Sequence, residues 1–530
     1  MSWDRGFISA LSQSSIALEF LLEFVNITNH LGQNYRIRVG GNVRFSGVRV
    51  VPQRWNVSFG GFSCDLAGEI QPMLPYIRKG QLAVLFCRVI NQTDFERIAI
   101  GQLDTLNGFR GRFSLVFRDF LSALQNSFDT RSGALFSSAD PARFNLFYEV
   151  GQTTVVQTSS FGITDTTINL VNTSFFKKHS GTASIPSRGV AKIEPISGND
   201  PFYIFWTGKT STQLTGISTM SNRGGSRSVA GINSICRYVA FAENQPWDII
   251  GSIITSTGSA SNGPLDIFPQ EWSCGGFISK DLFDFADASK QASYIKRSDN
   301  GVYEWGIVIE TPLNNGIRSI VDIGSLSGQW PVYRQGKISW RGCSDPYQID
   351  SEIMMGAPQA QLFDNDIIQI LDHQFYNPDI PNIYRTSLIT YLQTGTATFS
   401  GGGSDRVESL PAIYSIQRDN TLYYLHDRSG VDKSGEMALG DLRRMRRWDL
   451  YVSERLVLQV PLKFSGLVAG DVIEITSRYL YGLLEPQNRT FNAKRAMVTA
   501  CDFDFDNQNC VLTLCLAGRK SYPKPDQEIL

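Results

Sequence analysis

Several residue types that chemistry usually needs are scarce in this sequence. Only four histidines occur, His30, His179, His373 and His426. None stands in a metal-type His-x-x-x-His spacing, which argues against a histidine-built metal or acid–base centre. No Gly-x-Ser-x-Gly elbow, Walker A loop, dinucleotide fingerprint or kinase set is present. The eight cysteines, at 64, 87, 236, 274, 343, 501, 510 and 515, include no Cys-x-x-Cys pair and sit mostly in apolar, strand-like surroundings. They read as buried free thiols in a reducing compartment. Net charge is also missing: 49 basic residues balance 50 acidic ones, so no global field draws nucleic acid or an anionic membrane. Apolar runs such as Leu82–Cys87 fall far short of the ~20 residues that span a bilayer. The N-terminal stretch lacks a basic start, and Gln13, Glu19 and Glu23 interrupt it, so a secretory signal is not expected and folding in a cytosol is.

What is abundant points to sheets and contact surfaces. The chain of 530 residues carries 33 Phe, 19 Tyr and 9 Trp, residues that favour pleated surfaces and protein interfaces. Its length exceeds what one core usually holds, so three or four domains are expected. In the first segment, Tyr35, Ile37 and Val39 alternate with Arg36 and Arg38, and Trp55, Val57 and Phe59 alternate with Asn56 and Ser58. Period-two alternation marks half-buried strands. Gly40-Gly41 and Gly60-Gly61 punctuate them as turns or bulges. Further strands are expected at Gln81–Ile90, Arg97–Leu103 and Arg112–Phe117. The spacing of Phe117, Phe120, Leu121 and Leu124 then predicts a short closing helix. Residues 1–130 thus read as a small antiparallel barrel or sandwich.

Residues 131–350 form an irregular β-rich middle region of one or two domains. Strand-prone bursts occur at Phe202–Trp206 and Tyr303–Glu310, and loop-like stretches at Ser221–Ser228 and Ser256–Gly263. Residues 351–435 read as a mixed α/β connecting domain. In it Asn365 caps a helix carrying Ile367, Ile368 and Leu371, Asn377-Pro378 stops that helix, and Gly401–Ser404 is a flexible loop. Residues 436–520 read as a second barrel half with a preceding helix over Gly435–Arg447. Leu456, Leu458, Val460, Leu462 and Phe464 share one strand parity, Gly466–Asp471 turns, Val472–Ser477 is a strand, and Ala496–Phe503 pairs with Cys510–Ala517. Residues 521–530 are an extended tail. The fold class is therefore mainly β with minor α, in several domains, with β-units at both ends that suggest a duplication.

Three clusters carry a possible chemistry and a plainer reading. The run Asp502-Phe503-Asp504-Phe505-Asp506-Asn507 opens like a calcium loop, but Asn507 and Thr513 occupy the positions that want Gly and Glu; a solvated hairpin turn accounts for it better. Cys501, Cys510 and Cys515 could hold a metal, yet Cys510 and Cys515 differ by an odd number in one strand and face opposite ways. Arg443-Arg444-Met445-Arg446-Arg447, flanked by Asp441 and Asp449, reads as a solvated helix face or a protein-contact patch before a nucleic-acid site. Paired carboxylates for glycan cleavage are spatial, and the sequence singles out no pair. No catalytic, cofactor-binding or metal-ligating residues are assigned, and no enzyme activity is expected.

The last third contains an Arg-rich helix at Leu439–Arg447, Val460-Pro461-Leu462, then Gly466-Leu-Val-Ala-Gly-Asp-Val-Ile-Glu-Ile-Thr476, Ala496-Met-Val-Thr-Ala500 and Val511-Leu-Thr-Leu514. This order resembles the tail-hub domain of tailed bacteriophages and related gene-transfer particles. The first segment, around Phe59–Gly68 and Lys79–Phe86, is similar to the first tube-like barrel of baseplate hubs. The resemblance implies a homotrimer whose two tube barrels per subunit form a pseudo-sixfold ring at the virion tail tip, assembled in the host cytoplasm. Implied partners are distal tail or tail-tube proteins, the tape-measure protein and receptor-binding or fibre proteins. No cofactor, membrane segment or specific nucleic-acid contact is implied. The reading from another class is a β-rich carbohydrate-binding or glycan-depolymerising surface protein, and a third is a metal-dependent hydrolase.

Overall fold

The computed structural model describes residues 5–13, 16–28, 34–51, 56–66, 75–109, 111–119, 151–178, 187–196, 198, 201–219, 229–244, 249, 284, 304–310, 328–334, 336–342, 358–375, 383–389, 396–402, 413–418, 422–426, 448, 452–481 and 490–517. It is mostly strand, with few helical residues.

The N-terminal unit is a closed ring of six strands, β1 (Leu18–Thr28), β2 (Asn34–Ser46), β3 (Gly61–Leu66), β4 (Leu82–Val89), β5 (Glu96–Phe109) and β6 (Arg112–Asp119). They pair in the order β1-β4-β5-β6-β3-β2, and β2 returns to β1. Closure leaves these strands without open edges over most of their length. Phe20, Leu22 and Phe24 of β1 point inward and are buried. Their neighbours Glu19 and Glu23 face arginines across the wall: Arg88 and Arg38 reach Glu19, and Arg36 sits 2.6 Å from Glu23. The acidic residues that interrupt the apolar stretch are thus the outer parity of a strand. Gly41 has φ of +143° where the β2–β3 register shifts, so the glycine pair makes a bulge. A helix, α1 (Arg5–Leu11), buries Phe7, Ala10 and Leu11. It packs on β4 and on the 3₁₀ turn Leu462–Phe464 of the C-terminal unit. The expected helix after Phe117 is corrected at its first residue: Phe117 is a buried residue of β6, stacked on Phe62 at 4.3 Å. Phe120, Leu121 and Leu124 lie outside the described residues.

In the middle, β7 (Gly189–Glu194), β8 (Phe202–Trp206), β9 (Ile235–Asn244) and β10 (Glu304–Ile309) form the order β8-β7-β9-β10, extended by Leu422–His426 on β10. Val190, Phe205, Val239, Phe241 and Val308 cluster on one face. Ala191, Ile193, Ile204, Trp206 and Tyr238 join the main core on the other. A sheet buried on both faces reads as near-continuous apolar runs, as in Phe202–Trp206. The loop-like stretches at 221–228 and 256–263 fall outside the described residues.

The C-terminal unit begins with β13 (Ala360–Phe363) and β14 (Gln369–Phe375), after a hairpin of β11 (Gln329–Arg334) and β12 (Lys337–Gly342). It continues with β15 (Val452–Pro461), β16 (Val472–Tyr481), β17 (Thr490–Asp504) and β18 (Asn509–Ala517). The helix expected from Asn365 is not there. Asn365 sits in a 3₁₀ turn, Asp364–Asp366, between two strands, and Leu371 belongs to β14. The apolar spacing of Ile367, Ile368 and Leu371 mimics a helical face, but Ile368 and Leu371 are exposed, so core burial does not set it. Gly401 and Gly402 likewise end a strand, Thr396–Gly402, where a loop was expected; Gly403 and Ser404 lie outside the described residues. Leu456, Leu458, Val460, Leu462 and Phe464 are all buried, but the strand stops at Pro461 and the last two sit in the 3₁₀ turn. The helix expected over Gly435–Arg447 lies outside the described residues.

Taken in chain order as one to six, the C-terminal strands pair 1-4-5-6-3-2 (β13-β16-β17-β18-β15-β14), the same order as the N-terminal ring. Two pairings differ: β13 runs parallel to β16, whereas β1 and β4 are antiparallel, and among the described strands β13 does not pair with β14, whereas β1 pairs with β2. The reason is that β13 and β14 are one run of chain heading in one direction, which leaves β16 and crosses to β15 after the 3₁₀ turn.

Candidate assembly surface

The two β-units meet edge to edge. The last residues of β2, Arg44, Phe45 and Ser46, pair on one side with Ser63, Phe62 and Gly61 of β3. On the other side they pair with Asp504, Phe503 and Asp502 of β17. One continuous sheet therefore runs through both units. Phe45 and Phe503 stack at 4.5 Å, and Phe505 meets Phe20 edge-on at 5.1 Å. Arg44 lies 3.4 Å from Asp504, and Arg49 donates to Asp502. Asp502 is held above the ordinary carboxylate value because its burial outweighs Arg49 and the donors of Gly47 and Ser46.

The acidic turn is a local structure of the hairpin. The Asp504 carboxylate accepts the backbone N–H groups of Asp506 and Asn507, both at 3.1 Å, and the Asn507 side chain at 2.9 Å. Among the described residues no group of three or more His, Cys, Asp or Glu is placed to hold a metal. Cys501 and Cys510 lie within the main core, while Cys515 belongs to a second apolar cluster. Burial pushes the Cys515 thiol up to about 12, and burial together with the adjacent Cys501 raises Cys510. His373 contacts Glu454 at 3.2 Å. His30 and His179 lie outside the described residues, and His426 lies in a middle strand.

A third element locks the junction. The β11–β12 hairpin inserts Tyr333, Ile338 and Trp340 into the main core and Trp330 and Val332 into the second cluster, with Val48, Ala469, Met497 and Trp448. Trp330 Nε1 donates to the Ala469 carbonyl at 3.0 Å. Arg341 Nε donates to Asp471 Oδ1 at 2.7 Å. The other Asp471 oxygen accepts from the Val468 N–H at 3.0 Å. Gly470, at φ of +102°, lets the hairpin approach: a Cβ there would stand 2.6 Å from Arg341 Cβ. The Gly-Asp-Val segment noted in the sequence is thus a docking turn, with glycine for close approach, aspartate for the buried arginine and valine opening β16. Trp448, which ends the Arg-rich run, is fully buried in the second cluster; Arg443, Arg444, Arg446 and Arg447 are outside the described residues.

Between the two units and the hairpin lies a cavity of about 20 Å³, lined by Phe45, Ile98, Tyr333, Leu467 and Phe503 among others. A cavity of that size admits a water molecule, whereas ligand pockets run to roughly 300–1,000 Å³. No acidic residue lines it. No described helix is long and apolar enough to cross a membrane.

No protein-family profile and no curated protein matches the chain. Among solved structures it is similar to the 43 kDa tail protein of prophage MuSo2 from Shewanella oneidensis, at 10% identity and a TM-score of 0.40, over 94% of this chain and 98% of that one. It is also similar to a tail protein from Neisseria meningitidis MC58, at 9% identity and 0.39, over 95% and 99%. A third is the prophage tail protein gp18 from Listeria monocytogenes EGD-e, at 7% identity and 0.38, over 95% of each chain.

Proposed function

We propose that this chain is a structural subunit of a phage-type tail, a hub or baseplate component that acts through assembly. Its two end units would form part of a ring wall, joining the tail tube above to tip and receptor-binding proteins below. The observation that carries the reading is the repeated strand order of the two units and their fusion through β2 and β17 into one sheet. A chain built as two equivalent wall segments side by side suits a ring in which copies alternate those segments. Three copies would present six such segments, which matches a homotrimer adapting a sixfold tube to a threefold tip. The resemblance of the two ends to tube-like hub barrels supports the same reading. The division at 1–130, 131–350, 351–435, 436–520 and 521–530 is part of it, with the middle regions as the surface for peripheral tail proteins.

The test is the native mass of the purified full-length chain with electron microscopy of the same sample. A trimer that images as a ring with a central passage is expected. A single chain at every concentration, or hydrolysis of a bacterial polysaccharide by the isolated protein, would overturn the reading.

A further inference from the structure

The middle region holds a third closed unit. β8 pairs with β7, β7 with β9, and β9 with Thr153–Val155. Val156 bridges to Leu170, and Thr167–Asn169 pairs with Gln213–Thr215. That last segment returns through Gly208–Lys209 to the end of β8. The interior is filled: Val156, Leu170, Ile193, Ile204, Leu214 and Cys236 are all buried. A small barrel packed in this way offers its outer surface for recognition.

One side of that surface is apolar and almost without charge. Val171 stands opposite Val155, and Val155 opposite Ile235, so the three share a row across three strands. Ile196 donates its N–H to Ser234 beside Ile235, and its Cγ2 lies 3.6 Å from where a Cβ on Gly231 would stand, next to Ile232. Val171, Ile196, Ile232 and Ile235 are 50%, 66%, 50% and 38% exposed, and Val229 and Ile163 flank the Ala230–Phe161 bridge, exposed as well. Contiguous aliphatic surface of this kind marks an interaction site.

Residues 151–172, 208–219 and 229–236 hold two charged residues, Asp165 and Lys209, in a chain that is 19% charged. Both are used within the unit. Asp165 accepts the Gly162 N–H at 2.7 Å, and Lys209 donates to the Phe176 and Ser174 carbonyls at 2.7 and 3.2 Å. At the border, Glu194 and Arg237 pair at 3.1 Å, and Lys192 and Glu310 at 2.8 Å. An apolar centre without charge inside a polar rim is the anatomy of a protein interface. Among the described residues 151–236, the large apolar side chains that are exposed are all Ile or Val, which give a nucleobase no aromatic face to stack on.

We propose that this face of the third unit docks a different polypeptide of the same particle, through a segment of aliphatic side chains that carries no charge. A charged segment would lose its hydration here and gain no partner, because the charges at the border are already paired. Two copies meeting through this one patch would pair about a twofold axis, which a ring of three does not supply. The inference rests on the tail-subunit reading above and adds where the middle region is occupied and by what chemistry.

Tail particles are prepared in which this chain carries p-benzoylphenylalanine in place of Ile232. After irradiation, cross-links are mapped by mass spectrometry. The expected product joins position 232 to an uncharged, aliphatic segment of a different protein. Cross-links to a charged segment, to this chain itself or to no protein would overturn the proposal. A second arm uses Ile196→Asp with Ile232→Asp, which places charge on the patch at two exposed positions. The isolated variant should keep the circular dichroism and native mass of the wild type, while its tails carry at least tenfold less of the cross-linked protein. That protein at its wild-type level would overturn the proposal. If the double variant does not fold, the cross-link map decides. Tails that contain this chain with position 232 uncoupled remove the docking face and leave the tail-subunit reading intact, whereas tails that lack the chain remove both.

Discussion

Arg341 and Asp471, 130 residues apart, form a 2.7 Å ion pair in which the two side chains are 1% and 0% exposed. The pair joins the inserted hairpin to the turn that opens β16. Removing one partner of a buried pair strands the other charge, at a cost of roughly 3–5 kcal/mol. Asp471→Asn should therefore lower the melting temperature by several degrees in calorimetry. Arg341→Met combined with Asp471→Leu should recover much of that loss, because neither charge is then left buried alone. A single variant with the wild-type melting temperature would show that the pair does not hold the hairpin.

The glycine beside this pair is a separate test. With φ of +102° and no room for a Cβ, Gly470→Ala adds both backbone strain and a clash. A loss of about 1–3 kcal/mol is expected, measured as a shift of the denaturant midpoint. Gly111, also at positive φ but with nothing within 4 Å of its Cβ position, should tolerate alanine with a smaller loss. Equal effects at the two glycines would rule out the close approach as the cause.

At the clasp, aromatic stacking should matter more than charge. Phe503 is buried and stacked on Phe45, so Phe503→Ala should cost about 3–5 kcal/mol. Arg44 is largely exposed beside Asp504, and an exposed pair of this kind is worth under about 1 kcal/mol. Thermal melts of Phe503→Ala and Arg44→Ala compare the two directly, and a larger loss at Arg44 would invert this ranking.

Asp502 makes the clasp sensitive to pH in a defined sense. Its carboxyl keeps a proton to higher pH in the folded protein than in the unfolded chain, where the ordinary value is 3.8. Its contribution to stability is therefore fully present below that value and is lost as pH rises through the higher folded value. Relative to Asp502→Asn, which does not titrate, the wild type should lose stability on going upward in pH across that window. A relative gain would mean that Arg49 outweighs burial.

The buried thiols give a chemical readout of the same core. Burial raises the pKa of Cys64, Cys87, Cys236, Cys510 and Cys515, and the reactive form is the thiolate. Iodoacetamide at pH 8 should leave these five unmodified in the folded protein and alkylate all of them in denaturant, as read by peptide mass spectrometry. Rapid native labelling of Cys510 or Cys515 would show that the last hairpin opens.

The sequence is most legible where burial and strand parity coincide. Leu456 to Val460 alternate cleanly, and Phe503 does sit opposite Cys510. It is least legible where an apolar pattern serves something other than the core. Ile367, Ile368 and Leu371 carry helical spacing, yet they lie on a turn and an exposed strand edge, so hydrophobic period alone misassigns them. Glu19 and Glu23 look like interruptions until Arg36, Arg38 and Arg88 appear across the wall. The clasp between β2 and β17 leaves no local trace, because its partners are hundreds of positions apart and neither segment differs from an ordinary hairpin strand. The roles of Gly470 and Asp471 follow only once Arg341 is known to stand against them.

The bond from Arg49 to Asp502 spans 453 positions, which has a consequence for biosynthesis. Domains generally fold in order as the ribosome delivers them. The N-terminal ring is complete in strands once Asp119 has emerged, yet the flank of Arg44–Ser46 must wait for nearly the whole remaining chain before its seam is sewn. Until then that flank is a loose selvedge, and a nascent chain stalled in its middle third would carry it bare.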